Sequence, residues 1–443
     1  MDYIEALHYM YSLADFERSG RFSSRPDVAP VLALLEELGN PHLGRVTVHI
    51  AGSKGKGSVA AMVESILRAA GVRTGLFTSP HLHRFPERIQ VDAQPVSTDD
   101  FAEGLTEVAA AIDRVQQRLP DRPIVTFDAL TALGFVLFRK HEAEVQVIEV
   151  GLGGLLDSTN VFETKDCAVI TNIGLEHRDI LGDTIPEIAR QKAGIIVAGC
   201  PTVMAPQRES AADVIREVAT ERGSPLTEVA LVCNLRRDSA SSEAQTFRLR
   251  TPRAGYQAKL PLLGKHQLDN AATAVLAVEA LAPAGISITE EAVKSGLENV
   301  KWPGRIETLK RRPLVIVDAA HTADSARRLR DTLLEYLHVD RATLIIGVMG
   351  DKDLEGLAMA IEPAALRVIA TQADHPRALS AEAVARVFRD LSIETFVEPK
   401  LGAAIDMATS LSTASDAVVI LGSIALAGEA RAYILGLERD PPV

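Results

Sequence analysis

Residues 49–71 read HIAGSKGKGSVAAMVESILRAAG, with glycines, lysines and a serine spaced as a bound anion would need them. Gly52, Gly55 and Gly57 free the backbone to curl until successive N–H groups face one anion. Lys56 supplies a mobile cation, Ser58 a hydroxyl, and the helix behind them its positive end. The pattern departs from the common phosphate loop, in which Ser or Thr follows the lysine directly, because Gly57 intervenes. The plainer reading of the stretch is an ordinary strand-to-helix turn. Three further stretches offer reactive side chains. FTSPHLHRFPERI carries Thr78, Ser79 and Pro80, VIEVGLGGLLDSTN carries Glu149, and TNIGLEHRDILGD carries Asn172 and His177. A hydroxyl, a carboxylate and an imidazole brought to the edge that holds the phosphate loop would suit magnesium beside a triphosphate. Singly, each has a duller use, as a helix cap, a solvated strand end and a hydrogen-bonded loop residue.

These groups meet only if the segments carrying them are neighbouring strands. VTVHIA, RTGLFT, VQVIEV, CAVITN and PTVMA are short β-branched runs separated by helical patterns, which predicts a mainly parallel sheet covered on both faces. Open sheets of that kind place ligands at their carboxyl ends. From about 225 to 260 the text turns polar and alternating, predicting antiparallel strands appended to that sheet. Helical patterns follow at about 266–282 and 288–298. VKWPGRIE, with the only tryptophan and a Pro-Gly pair, reads as a junction. Beyond it PLVIVDAA, ATLIIGVM, LRVIATQ, IETFVE and DAVVILGS alternate with helices. The expected fold is therefore α/β, a P-loop-type domain over 1–300 and a smaller Rossmann-like domain over 301–443.

Composition narrows the function. The 443 residues exceed one ordinary domain, with a net charge of −12 and 4% aromatic residues, which argues against a nucleic-acid surface. Three cysteines, Cys167, Cys200 and Cys233, have no CxxC spacing, so a reducing compartment without structural zinc is expected. The start, MDYIEALHYMYSL, is acidic where a leader would be basic, no apolar run reaches membrane length, and none of six asparagines opens a glycosylation sequon. The expectation is a cytoplasmic monomer with small-molecule substrates, binding neither nucleic acid nor membrane.

In order along the chain, AGSKGKGS, TSPH, RFPERI, EVGLGG, STNV, TNIGLEH, LGDT and QKAGII, then GKHQLDNAATA, WPGRIE, DAAH, GVMGDKD and HPRA, are similar to the dihydrofolate synthase/folylpolyglutamate synthase family of the Mur ligase superfamily. The resemblance implies an ATP- and Mg2+-dependent ligase. Phosphoryl transfer would activate a folate or dihydropteroate carboxylate as an acyl phosphate, which the amine of L-glutamate displaces. It implies that Lys56 and the amides of Gly55 to Ser58 hold phosphates, that Ser79 and Glu149 bind one magnesium and His177 a second, and that Lys192 is carbamylated and supports a metal. Asn270 would meet the adenine, and Arg305 would reach the terminal phosphate from the second domain, with Asp318 and His321 also lining the nucleotide.

The family's G-T-N-G-K-G-S is here G-S-K-G-K-G-S, its H-N-P is His321-Thr322-Ala323, and its arginine and asparagine in G-L-G-G-R-L-D and R-F-N-E-R are Leu155 and Pro86. Phosphate and metal positions survive, so the departures bear on the acceptor. Two alternatives stand beside this reading: a Mur-type ligase for another carboxylate, and a non-ligating nucleotide switch, against which the missing N-K-x-D motif counts.

Overall fold

The computed structural model describes residues 1–20 and 27–441. Eight strands form the large sheet: β1 (Val46–Ala51), β2 (Thr74–Phe77), β3 (Ile89–Val91), β4 (Gln94–Pro95), β5 (Val145–Glu149), β6 (Cys167–Ile170), β7 (Thr202–Met204) and β8 (Leu226–Glu228). Their order is β4-β3-β2-β5-β1-β6-β7-β8. The pairs from β2 to β8 are parallel, and β3 and β4 add an antiparallel edge. The five expected strands are all present. Their continuous apolar runs are explained by burial: every residue of β2, β5, β6 and β7 is buried.

The polar segment after 225 departs from expectation. Only Leu226–Glu228 joins the large sheet, as its last parallel strand. The antiparallel strands β9 (Asn234–Ala240), β10 (Gln245–Arg250) and β11 (Gly255–Leu260) form a sheet of their own. Alternation decides this. Phe247, Leu249, Tyr256, Ala258 and Leu260 bury one face against helices Lys265–Glu279 and Glu290–Asn299, leaving the other face polar.

A third sheet has the order β12-β13-β17-β14-β15-β16, from β12 (Glu307–Arg311), β13 (Leu314–Val317), β14 (Ala342–Ile346), β15 (Ala365–Gln372), β16 (Thr395–Lys400) and β17 (Ala417–Leu421). It is parallel except for β12, an antiparallel edge strand that the sequence pattern did not announce. The stretch after its last helix returns to the first half of the chain. Asp440 accepts from Tyr3 Oη (2.8 Å) and from Phe85 N (2.8 Å), while Asp440 N donates to the His83 carbonyl (2.9 Å). Arg431, on the helix Ile424–Leu435, donates to Glu307 and lies 3.1 Å from His83 Nε2. The two halves are thereby tied on either side of one cleft.

Candidate active site

The strands β1, β2, β5 and β6 end side by side, and the loops leaving them carry most of the residues singled out above. After β1 the chain turns through Gly52 to Gly55 into the helix Lys56–Ala69. Asn172, at the end of β6, uses its backbone carbonyl to hold Ser53 N and Lys54 N, both at 3.0 Å. The amides left to face an anion begin at Gly55 and run into the helix's first turn. Gly55 takes φ +93°, and a Cβ there would stand 2.5 Å from Asn270 Oδ1, so Asn270 lies directly against the loop. Asn270 Nδ2 donates to Gln267 Oε1 (2.9 Å), and Gln267 reaches Ser58 Oγ (3.4 Å).

Gly57, the residue that broke the common pattern, now has a reason. A Cβ at this position would sit 2.5 Å from the ring of Trp302. The tryptophan from the junction packs on the first turn of the phosphate-loop helix and leaves no room for a side chain.

Three lysines converge under the loop. Lys56 Nζ donates to the Gly52 carbonyl (3.2 Å), and so does Lys192 Nζ (2.8 Å). Lys192 comes from the last turn of the helix Ile185–Ala193 and is 2% exposed. A solvated helix-surface lysine is thus ruled out. Its ammonium also meets Glu176 Oε1 at 3.1 Å, and Glu176 Oε2 lies 3.4 Å from Lys54 Nζ. Burial, with Lys56 and Lys54 nearby, brings Lys192 down to about 8 against the pull of Glu176. Burial would raise the Glu176 carboxyl, but Lys192, Lys54 and Lys56 outweigh it and hold it well below the carboxylate range. Glu176 was not picked out from the sequence, although it adjoins His177.

Ser79 and Glu149 meet where β2 and β5 end, Ser79 N donating to Glu149 Oε2 at 3.3 Å. Burial raises the Glu149 carboxyl, opposed by the charges of Lys56 and Arg305. His177 opens a short helix with φ +47°, and burial lowers its imidazole to about 4, so it is neutral at physiological pH. Among the described residues, no three His, Cys, Asp or Glu side chains gather as a ready-made metal cluster. A magnesium site here would draw its remaining oxygens from water and phosphate.

The second half supplies the opposite wall. Arg305 faces the cleft from the junction, its Nη1 donating to the Gly304 carbonyl at 3.1 Å. Asp318, at the end of β13, spends its oxygens on Ile306 N (2.9 Å) and Ala320 N (2.8 Å), so it shapes the loop beside Arg305. His321 donates from Nδ1 to the Ala319 carbonyl (2.8 Å), which leaves Nε2 unprotonated, and burial lowers the ring to about 3. Lys54, Lys56, Ser58, Ser79, Glu149, His177, Lys192, Asn270, Arg305, Asp318 and His321 all line one cleft of about 1680 Å³, with Gly52 beneath it. Phe127, Asp128, Asp157 and Arg377 also line it. Phe127 and Asp128 lie outside every motif singled out in the sequence, whereas Asp157 lies in GLGGLLDSTN and Arg377 in HPRA.

Comparison with known proteins agrees with this arrangement. Residues 50–278 match the Mur ligase middle domain and residues 304–424 the Mur ligase glutamate ligase domain. The chain is 34% identical to a probable bifunctional folylpolyglutamate synthase/dihydropteroate synthase of Haloferax volcanii, over 97% of its own length but only 50% of the relative's. It is 32% identical to the folylpolyglutamate synthase of Lacticaseibacillus casei, covering 98% of this chain and 99% of that one. The fold superposes on a crystal structure of Mycobacterium tuberculosis folylpolyglutamate synthase complexed with ADP and AMPPCP with a TM-score of 0.89, at 33% identity, over 99% of this chain and 100% of that one.

Proposed function

Because the chain belongs to the folylpolyglutamate synthase/dihydrofolate synthase family of Mur ligases, we propose that it joins L-glutamate to the carboxylate of a folate or dihydropteroate at the expense of ATP. The observation that carries the reading is the single cleft in which a phosphate loop, a buried lysine–glutamate pair and the cationic wall of the second half face one another. The two working units are residues 1–300 and 301–443, acting as a cytoplasmic monomer. No described helix is long and apolar enough to cross a membrane.

The terminal phosphate of ATP passes to the acceptor carboxylate, giving an acyl phosphate, and the glutamate amine then attacks the acyl carbon and expels phosphate. Phosphoryl transfer needs mainly alignment and charge stabilisation. Lys56 and the first-turn amides bind the phosphates, Asn270 bounds the adenine side, and Arg305 approaches the transferring group from the opposite wall. Asp318 keeps Arg305's loop in shape, and His321 Nε2 is free to accept a hydrogen bond at the nucleotide. Ser79 and Glu149 fit one Mg2+ and His177 a second, since a half-buried hydroxyl, a buried carboxylate and a half-buried neutral imidazole leave open positions for phosphate oxygens. When bound, Mg2+ would neutralise charge on the phosphate oxygens. Lys192 Nζ adds to carbon dioxide, forming an N–C bond and releasing a proton, and the resulting carbamate supplies an anion beside the metal. Glu176 orients that side chain. Closure of the cleft would keep water from the acyl phosphate.

Phosphate release should require ATP, glutamate and either dihydropteroate or tetrahydrofolate together. Release without an acceptor would favour a nucleotide switch, and release only with a different carboxylate would favour another Mur-type ligase.

A further inference from the structure

Lys54 has no part in the reaction just described, yet it is built into the cleft. Its amide is pinned to the Asn172 carbonyl at 3.0 Å, which fixes the side chain's point of departure from the loop. The side chain is 23% exposed and its ammonium lies 3.4 Å from Glu176 Oε2, on the side of the loop where Lys192 is held. Asn270 covers the other side, over Gly55. Lys56 and Lys192 each donate a hydrogen bond to the Gly52 carbonyl, Lys54 and Lys192 share the Glu176 carboxylate, and Lys56 also acts on Glu149. Two carboxylates, Glu176 and Glu149, cannot neutralise three lysines, and the excess charge faces the mouth of an anion-binding loop. With Lys192 converted to its carbamate, Lys54 becomes the one ammonium left beside Lys56. Its contact with Glu176 is long, at 3.4 Å, and a phosphate dianion offers it a shorter charge-assisted contact.

We propose that Lys54 is a second phosphate-binding cation, kept against Glu176 until a terminal phosphate arrives, and that it lets the loop distinguish a nucleoside triphosphate from a diphosphate. The assignment rests on reading the loop as a triphosphate site. Lys54 lies at the Glu176–Lys192 end, where the reacting phosphate would stand, whereas Lys56 begins the helix whose first-turn amides serve the inner phosphates.

The test is calorimetric titration of the full chain with AMPPCP and with ADP. Lys54→Met should weaken AMPPCP about tenfold, the worth of one charge-assisted contact, while leaving ADP within about twofold. Lys54→Arg should retain the preference. Equal weakening of both nucleotides, or no weakening of either, overturns the assignment, and a melting curve for each variant shows whether the loop has collapsed. Failure of the unsubstituted protein to bind either nucleotide would overturn the triphosphate reading together with it.

Discussion

Replacing Lys192 by alanine tests the proposed chemistry at its most exposed step. The side chain is 2% exposed, and its removal strips a donor from the Gly52 carbonyl (2.8 Å) and a partner from Glu176 (3.1 Å), though Lys54 remains at 3.4 Å. Burial and neighbouring lysines lower the amine from 10.5 to about 8. At pH 7 about one Lys192 in eleven is then neutral, against about one in three thousand for an ordinary lysine, a gain of roughly 300-fold in the form that adds carbon dioxide. Carbamate formation releases a proton, so at fixed dissolved carbon dioxide it increases as pH rises toward 8. The unsubstituted enzyme should therefore gain activity from pH 6 to 8 and lose it in buffer stripped of carbon dioxide. Lys192→Ala should lose about two to three orders of magnitude in kcat, the usual consequence of removing one preorganised charge from a transition state. Added formate or acetate can occupy the vacated space as an anion and restore part of the activity, now without dependence on carbon dioxide. The assay is phosphate release with ATP, glutamate and tetrahydrofolate saturating, beside a melting curve for each protein. Full activity of Lys192→Ala without additive would refute the role of this lysine.

Other substitutions probe the remaining roles. Lys56→Ala should cut kcat by several orders of magnitude with the melting temperature nearly unchanged, since the side chain's hydrogen bond is to the loop's own Gly52 carbonyl. No carboxylate should rescue it, because the missing group is a cation. Arg305→Ala should lower kcat more than it raises KM for ATP if the guanidinium engages the transferring phosphate on closure, and unchanged kinetics would remove it from the reaction. Gly57→Ser restores the hydroxyl of the common phosphate loop but drives its Cβ to 2.5 Å from Trp302, so it should destabilise the protein by about 1–3 kcal/mol and weaken ATP binding. Denaturant unfolding with nucleotide titration checks both.

Legibility in the sequence followed burial and spacing. Strands buried on both faces advertise themselves as β-branched runs, which is why β1, β5 and β17 are plain in the sequence, while the short antiparallel pair β3 and β4 and the edge strand β12 have a mixed composition that resembles loop. The antiparallel region was recognised by its alternation but attached to the wrong sheet, because alternation reports that one face is buried and not what buries it. Lys192, Arg305 and His321 were reached through motif resemblance, since nothing local to QKAGII says that its lysine is buried. The partnership of Glu176 with two lysines from distant segments depends on β1 and β6 lying side by side, and that pairing is a property of the sheet. Gly57 was noticed as an anomaly whose cause lay 245 residues away, in Trp302.

That contact also gives the molecule an optical handle. The chain has one tryptophan, and its indole rests on the first turn of the helix that is to receive the phosphates, in the segment where the chain passes from one half to the other. Its ultraviolet emission comes from a single, identifiable place. Filling of the loop and swinging of the second half both alter the surroundings of that ring, so the unlabelled protein can report nucleotide arrival and cleft closure in a stopped-flow trace, and the two can be told apart by whether the signal needs the acceptor.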